Sequence, residues 1–242
     1  MNYYKKRETP SKLRHKRKWS ITAWIIILNI AVFIFLWIYF LFNTQDLKDP
    51  SSLILPNYFL LKPSNILQGK FLPSIILHMF THTLFLHLFV NMFVLFSLGI
   101  FCERIIGRKR YIWFYLIAGL FAGFLSVLLS GFYGSTPLGE RIFGPPDIFM
   151  TGASGAIFGI AALLMMLIPR LKFSIIFLPF FSMPAYIIIP AAVFIMWGLT
   201  IAFNLPIGNV AHFGGFLVGV IYGLYLRTKY KRKITQLQRM FG

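Results

Sequence analysis

The chain has 242 residues, of which 58% are hydrophobic and 18% aromatic, with 6 acidic side chains against 24 Lys and Arg. Apolar runs of about 20 residues, the length that spans roughly 30 Å of hydrocarbon, recur along it and exclude a soluble globular protein. The net charge of +18 does not point to nucleic acid, because the cations gather beside the apolar runs and line no groove with interleaved aromatics. Cys102 is the single cysteine, so no disulfide within this sequence and no multi-cysteine metal site can form.

Residues 1–18 read as a basic arm outside the membrane. Helix 1 follows at Trp19–Phe42, too long for the apolar part of a cleaved signal peptide and lacking a small-residue cleavage pattern. Asn29 within it reads as a helix-packing amide. From Asn43 to about Phe80 the chain is interrupted by Pro50, Pro56, Pro63 and Pro73 yet keeps short apolar pieces, the pattern of a long loop lying in the interface. His78, Thr81, His82 and Thr83 mark re-entry, and helix 2 is expected at Thr83–Phe101, ahead of Glu103-Arg104 and the basic turn 107–110.

Helix 3 is placed at Tyr111–Phe132, and a Gly/Pro-rich loop, 133–146, leads to helix 4 at Phe149–Ile168. Pro169-Arg170-Leu171-Lys172 closes helix 4, and residues 173–184 read as a re-entrant or interfacial segment. Helix 5 is expected at Ala185–Phe203 and, after a short loop at 204–208, helix 6 at Asn209–Leu226. The expected fold class is therefore all-α, a polytopic bundle of six transmembrane helices over residues 19–226, with basic tails at 1–18 and 227–242. Six spans put both termini on one side, and the positive-inside rule agrees: 20 of the 24 Lys and Arg fall on that side, leaving Lys48, Lys62, Lys70 and Arg141 opposite. The tails predict attraction to anionic lipid.

In this topology helices 2, 4 and 6 run in the same direction, so His87, Ser154 and His212 lie roughly 5 to 8 Å below one face, with Asn91 one turn deeper. Ser154 precedes a ridge of Gly155 and Gly159, while helix 6 carries Ala211, Gly215, Gly219 and Gly223 at every fourth position. Such ridges let helices approach closely. They would bring the Ser154 hydroxyl, as nucleophile, to the His212 imidazole, as general base. His87 and Asn91, spaced i, i+4, share a face and could stabilise an oxyanion. No acid is placed to orient His212, so the arrangement reads as a Ser-His dyad.

A lone membrane serine usually hydrogen-bonds its own helix, and His82, His78 and Phe158 each have a plain structural reading as loop or core residues. Four polar groups from three helices at one depth are more simply explained by one site.

At these residues the sequence resembles the rhomboid family of intramembrane serine proteases. Gly152-Ala153-Ser154-Gly155 matches its G-x-S-G nucleophile motif, and Ala211-His212-Phe213-Gly214-Gly215 its A-H-x-G-G base motif. His87-x-x-x-Asn91 matches its oxyanion pair, and Glu103-Arg104 a short motif expected to be structural. The resemblance implies a serine endopeptidase of the cell membrane that cleaves single-span proteins in or near their transmembrane segments. It implies no metal and no cofactor, cytoplasmic termini, and an active site opening to the extracytoplasmic side. Helix 5 and the loop at 204–208 would correspond to a lateral gate and cap. Two departures stand out. Residues 43–82 contain no Trp or Arg, so the family's Trp-Arg loop anchor is missing, and Phe158 stands where many members have Tyr. The alternatives are an inactive rhomboid-like protein that binds membrane clients, and a transporter; helices 1, 3 and 5 lack ionisable residues, which argues against transport.

Overall fold

A computed structural model describes residues 19–43, 54–175, 178–203, 205 and 207–241. The arm at 1–18, Lys48 and part of the loop at 204–208 lie outside the described residues. The fold is an all-α polytopic membrane bundle with one small hairpin. Among the described residues, five helices are long and apolar enough to cross a bilayer: α1 (Ile21–Phe42), the continuous helix formed by α5 (Phe85–Val94) and α6 (Ile100–Ile106), α7 (Arg108–Tyr133), α10 (Ala185–Phe203) and α11 (Asn209–Lys229). Between α1 and α5 lie the short helices α2 (Ile54–Phe59), α3 (Pro63–Leu67) and α4 (Ser74–Leu77), as the proline-broken sequence implies. The remaining helices are α8 (Pro137–Phe143), α9 (Ser154–Leu167) and α12 (Lys231–Phe241).

The fourth element departs from expectation. Helix α9 has 14 residues and begins at Ser154, not at Phe149. At about 1.5 Å per residue it is roughly 21 Å long, short of a span. The preceding residues cannot join it, because their backbone groups are committed to distant partners. Met150 and Leu61 exchange N–H···O bonds of 2.8 and 3.1 Å, and the Gly152 N–H donates to the His78 carbonyl at 2.9 Å. Gly152 also sits at φ +116°, outside the helical region.

The segment expected at 173–184 to be re-entrant or interfacial is built as an antiparallel hairpin: Lys172–Ile175 (β1) pairs with Leu178–Pro184 (β2). Pro179 and Pro184 disfavour a helix there. The expected plain tail after 226 is helical too. Helix α11 runs to Lys229, and α12 turns Ile234 and Leu237 onto the core. Helix 2 is longer than predicted and includes a π turn at Leu95–Gly99. A Cβ at Gly99 would meet the Tyr111 hydroxyl at 2.5 Å and Thr22 Cγ2 at 2.8 Å, so the turn is packed tightly against α1 and α7.

Helix α9 is the centre of the bundle, enclosed by α7 and α11. A Cβ on Gly215 would fall onto the Gly155 carbonyl, and one on Gly219 onto the Gly159 carbonyl. On the opposite side, Cβ atoms at Gly155 and Gly159 would meet Ala122 and Ala118 of α7 at 2.6 and 2.9 Å. The pairing runs in register along α9 and α11, making them parallel, and in reverse along α7.

Helix α1 is fastened at its start by Glu103 of α6. The buried carboxylate accepts from the N–H groups of Ile21 and Thr22, both at 2.9 Å, and from the Thr22 hydroxyl at 2.8 Å. The Ser20 hydroxyl caps the same turn through Ala23 N–H at 3.0 Å. An anion satisfying a helix's unpaired N-terminal N–H groups gives the Glu103-Arg104 motif its structural role. The cation facing Glu103 is Arg108, at 3.9 Å.

Two stability predictions follow from these contacts. Glu103→Ala leaves the part-buried Ile21 N–H and the buried Thr22 N–H and hydroxyl without this partner, and should lower unfolding stability in mixed micelles by about 2–3 kcal/mol. Gly215→Ala forces a methyl onto backbone and should cost about 1–3 kcal/mol in the same measurement, whereas Gly198→Ala, facing open space on α10, should be neutral or stabilising.

Candidate active site

Ser154 is the first residue of α9 and His212 the fourth of α11, so the backbone contact between Gly155 and Gly215 holds both side chains at one end of the bundle. His212 Nε2 lies 2.9 Å from Ser154 Oγ. The imidazole is buried and stacks on Phe158, one turn along α9, with centroids 4.6 Å apart and planes at 29°. The phenylalanine thus fixes the ring's plane with no hydroxyl needed. The Nδ1 atom of His212 has no hydrogen-bond partner among the described residues, and no acid stands behind it.

Asn91 is buried on α5, and its Nδ2 donates to the His87 carbonyl at 2.8 Å, which uses one of its two amide hydrogens. His87 is half-buried. A Cβ at Gly152 would lie 2.8 Å from its ring, so only glycine fits where the serine loop passes this imidazole. Ser154, His212, His87, Asn91, Gly152, Gly155 and Phe158 line one cavity of about 1060 Å³. Gly215 does not line it and acts through the helix contact. The cavity continues between α5 and α10, past Phe93 and Ser97 on one side and Ala192 and Met196 on the other.

Two histidines left outside the site on sequence grounds build its rim. The Ala153 N–H points at His82 Nε2, 3.5 Å away, and the His82 ring stands edge-on to His87 at 5.0 Å. His78 Nδ1 bonds the Ser74 carbonyl at 3.0 Å, and its own carbonyl takes the Gly152 N–H. Both residues therefore support the strand of chain that enters α9.

The first loop, without a Trp-Arg pair, is anchored by other means. Asp147 accepts from the Ser64 hydroxyl at 2.8 Å and pairs with Lys62 at 3.0 Å, beside the Leu61–Met150 bridge. The loop is tied to the segment that carries Gly152 and Ser154. Both Lys62 and Asp147 were visible in the sequence as two of the few charges on that face. Trp197 of α10 adds a hydrogen bond from Nε1 to the Ile142 carbonyl at 2.7 Å, fastening α10 to α8. Among the described residues no cluster of three His, Cys, Asp or Glu side chains could hold a metal.

The Ser64 hydrogen bond, followed by the Lys62 ammonium, lowers the Asp147 carboxyl below its ordinary 3.8. A depressed folded value means the tie is fully present above the ordinary value and lost as pH falls through the folded one. Hydrogen exchange at residues 62–67 and 146–150 should therefore be unchanged between pH 7 and 5, after correction for intrinsic rates, and should rise below pH 3.8. Asp147→Asn should remove that acid response. At 71% exposure of the carboxylate the effect is small.

A family model described as the Rhomboid domain matches residues 71–229. The human mitochondrial presenilin-associated rhomboid-like protein is 31% identical over 151 residues, covering 62% of this chain and 37% of that protein. RHOMBOID-like protein 5 of Arabidopsis thaliana is 32% identical over 152 residues, with 62% and 43% covered. Rhomboid protein 1 of Saccharomyces cerevisiae, also mitochondrial by name, is 26% identical over 161 residues, with 63% and 41% covered. The aligned part is well under half of each relative. The domain match takes in every helix that surrounds the serine and histidine, and on that match the chain belongs to the rhomboid family.

Proposed function

We propose that the protein is an intramembrane serine endopeptidase that hydrolyses peptide bonds in or near the transmembrane segments of single-span proteins. The observation that carries this reading is the 2.9 Å approach of His212 Nε2 to Ser154 Oγ in a cavity that is also lined by α5 and α10. Neither helical geometry nor packing requires a hydroxyl and an imidazole to meet there, and family membership supplies the reaction class.

His212 Nε2 removes the Ser154 proton as Oγ bonds to the substrate carbonyl carbon, and the carbonyl oxygen becomes an oxyanion. The Ser154 N–H, unpaired at the start of α9, the second Asn91 amide hydrogen and the His87 ring are its donors. The protonated His212 then passes its proton to the leaving amine as the C–N bond breaks. Water enters from the serine end, loses a proton to His212 and hydrolyses the acyl-enzyme. The unit is a dyad, with Phe158 holding the imidazole in place of an aspartate.

With α9 counted as a short sixth crossing, the positive-inside count favours a reading in which both termini face the cytoplasm and the serine end faces the extracytoplasmic side of the cell membrane. Helix α10, whose Ala192 and Met196 line the cavity, is the wall past which a substrate segment would enter.

Reconstituted wild-type protein should cleave a model single-span substrate, and Ser154→Ala and His212→Ala should each lose at least roughly a thousandfold of that rate. Asn91→Ala should lose about a hundredfold, the scale of one oxyanion donor. A fluorophosphonate probe should label Ser154 in wild type and not in His212→Ala. Cleavage by Ser154→Ala at the wild-type rate would overturn the assignment.

A further inference from the structure

The end of the bundle opposite the serine is strongly basic. Its described residues include 12 Lys and Arg against Glu103 alone, and that carboxylate is buried at the start of α1. Two of these cations share one aromatic ring. Arg110 lies over Tyr230, 5.1 Å from the centroid, and donates to the Tyr230 hydroxyl at 2.9 Å. Lys229 lies 5.8 Å from the same centroid and 5.1 Å from that of Tyr225, and it donates to the Tyr225 hydroxyl at 2.6 Å.

Two cations drawn to one ring repel each other, and the ring's quadrupole offsets only part of that repulsion. A shared anion offsets the rest. Both ammonium and guanidinium groups are exposed, and each phenol, having accepted one bond, keeps its own O–H to donate. Two cations and two hydroxyls thus gather around the Tyr230 ring, and among the described residues neither cation is paired with a carboxylate. Arg110 lies in the first turn of α7, and Lys229 is the last residue of α11, so the cluster lies where two spans leave the membrane. That is the depth of lipid headgroups, where Tyr, Lys and Arg gather.

The site also sits on a joint. Tyr230 terminates α11, and its carbonyl accepts the Ile234 N–H of α12 at 3.1 Å. Helix α12 then runs beneath the bundle, with Phe241 edge-on to Phe101 at 5.4 Å. Gln238 Nε2 donates to the carbonyl of Leu167, the last residue of the serine helix, at 3.0 Å.

We propose that Arg110, Lys229, Tyr225 and Tyr230 bind the phosphate of an anionic phospholipid headgroup, and that this lipid holds α12 against the foot of α9. The proposal requires only that α7 and α11 span the bilayer, and is independent of the serine chemistry.

The test is amide exchange of residues 231–241 in the full chain, reconstituted in phosphatidylcholine liposomes with and without about 30% phosphatidylglycerol. Anionic lipid should slow exchange in the wild type by roughly fivefold or more, the scale of one or two headgroup-facing cations. Arg110→Gln with Lys229→Gln should abolish the slowing, while Lys109→Gln, a neighbouring cation outside the site, should keep it. Equal exchange in the two lipids, or full slowing in the double variant, would overturn the proposal. So would inorganic phosphate reproducing the effect in phosphatidylcholine alone, since that assigns the site to a free anion. If the charge variant does not fold, Tyr225→Phe with Tyr230→Phe carries the test: the slowing should fall by about half, and an unchanged value would overturn the site. Exchange is read without substrate, so the outcome is separable from that of the protease reading.

Discussion

Everything at the serine end depends on how closely two helices can run. Packed helices ordinarily keep their axes 8–10 Å apart, with the spacing set by the side chains between them, and here those are glycines. In this chain Gly155 and Gly159 face Gly215 and Gly219 with backbone against backbone, and on the far side Ala118 and Ala122 press into the same glycines. The lipid-filled environment offers no hydrophobic force to draw helices together, so this contact rests on van der Waals packing that only small residues permit. That approach holds the two side chains within hydrogen-bond distance, which explains how a pair without a supporting acid keeps its geometry.

The second constraint is on the chain just before α9. Non-helical backbone at membrane depth is tolerated only where its polar groups find partners inside the protein. The partners here come from far away in sequence: Leu61 serves Met150, His78 serves Gly152, and His82 faces Ala153. The first loop is therefore more than a cover. It supplies the hydrogen bonds that allow the serine to stand at a helix start, and the Lys62–Asp147–Ser64 cluster keeps it in place.

Much of this was legible in the sequence, for physical reasons. Span lengths pointed to the bundle, and the small-residue ridges and the polar residues near one depth pointed to residues that line the cavity. What sequence reading missed has a common cause. The true start of α9 is set by bonds to residues some 70 to 90 positions earlier, which local hydrophobicity cannot register, so Phe149–Ala153 looked like helix. Residues 231–241 read only as a basic tail because Lys231, Arg232 and Lys233 open the segment, although Ile234, Leu237 and Phe241 share a face. At 173–184 the apolar run resembled membrane-inserted chain, and its prolines pointed away from helix without pointing to a hairpin.

The shortness of α9 has an electrical consequence. Its aligned peptide dipoles place roughly half a positive unit charge at the Ser154 end and half a negative one at Leu167, about 21 Å away. Nearly all of its residues are buried, so the field between the ends is weakly screened. No acidic side chain sits in its first turn to absorb the positive pole, while at the other pole the Gln238 amide and the adjoining cations of Arg170 and Lys172 complement the negative end. The central helix is thus polarised along its axis, with its free positive end directed at the serine, beside which the oxyanion of the proposed reaction would form.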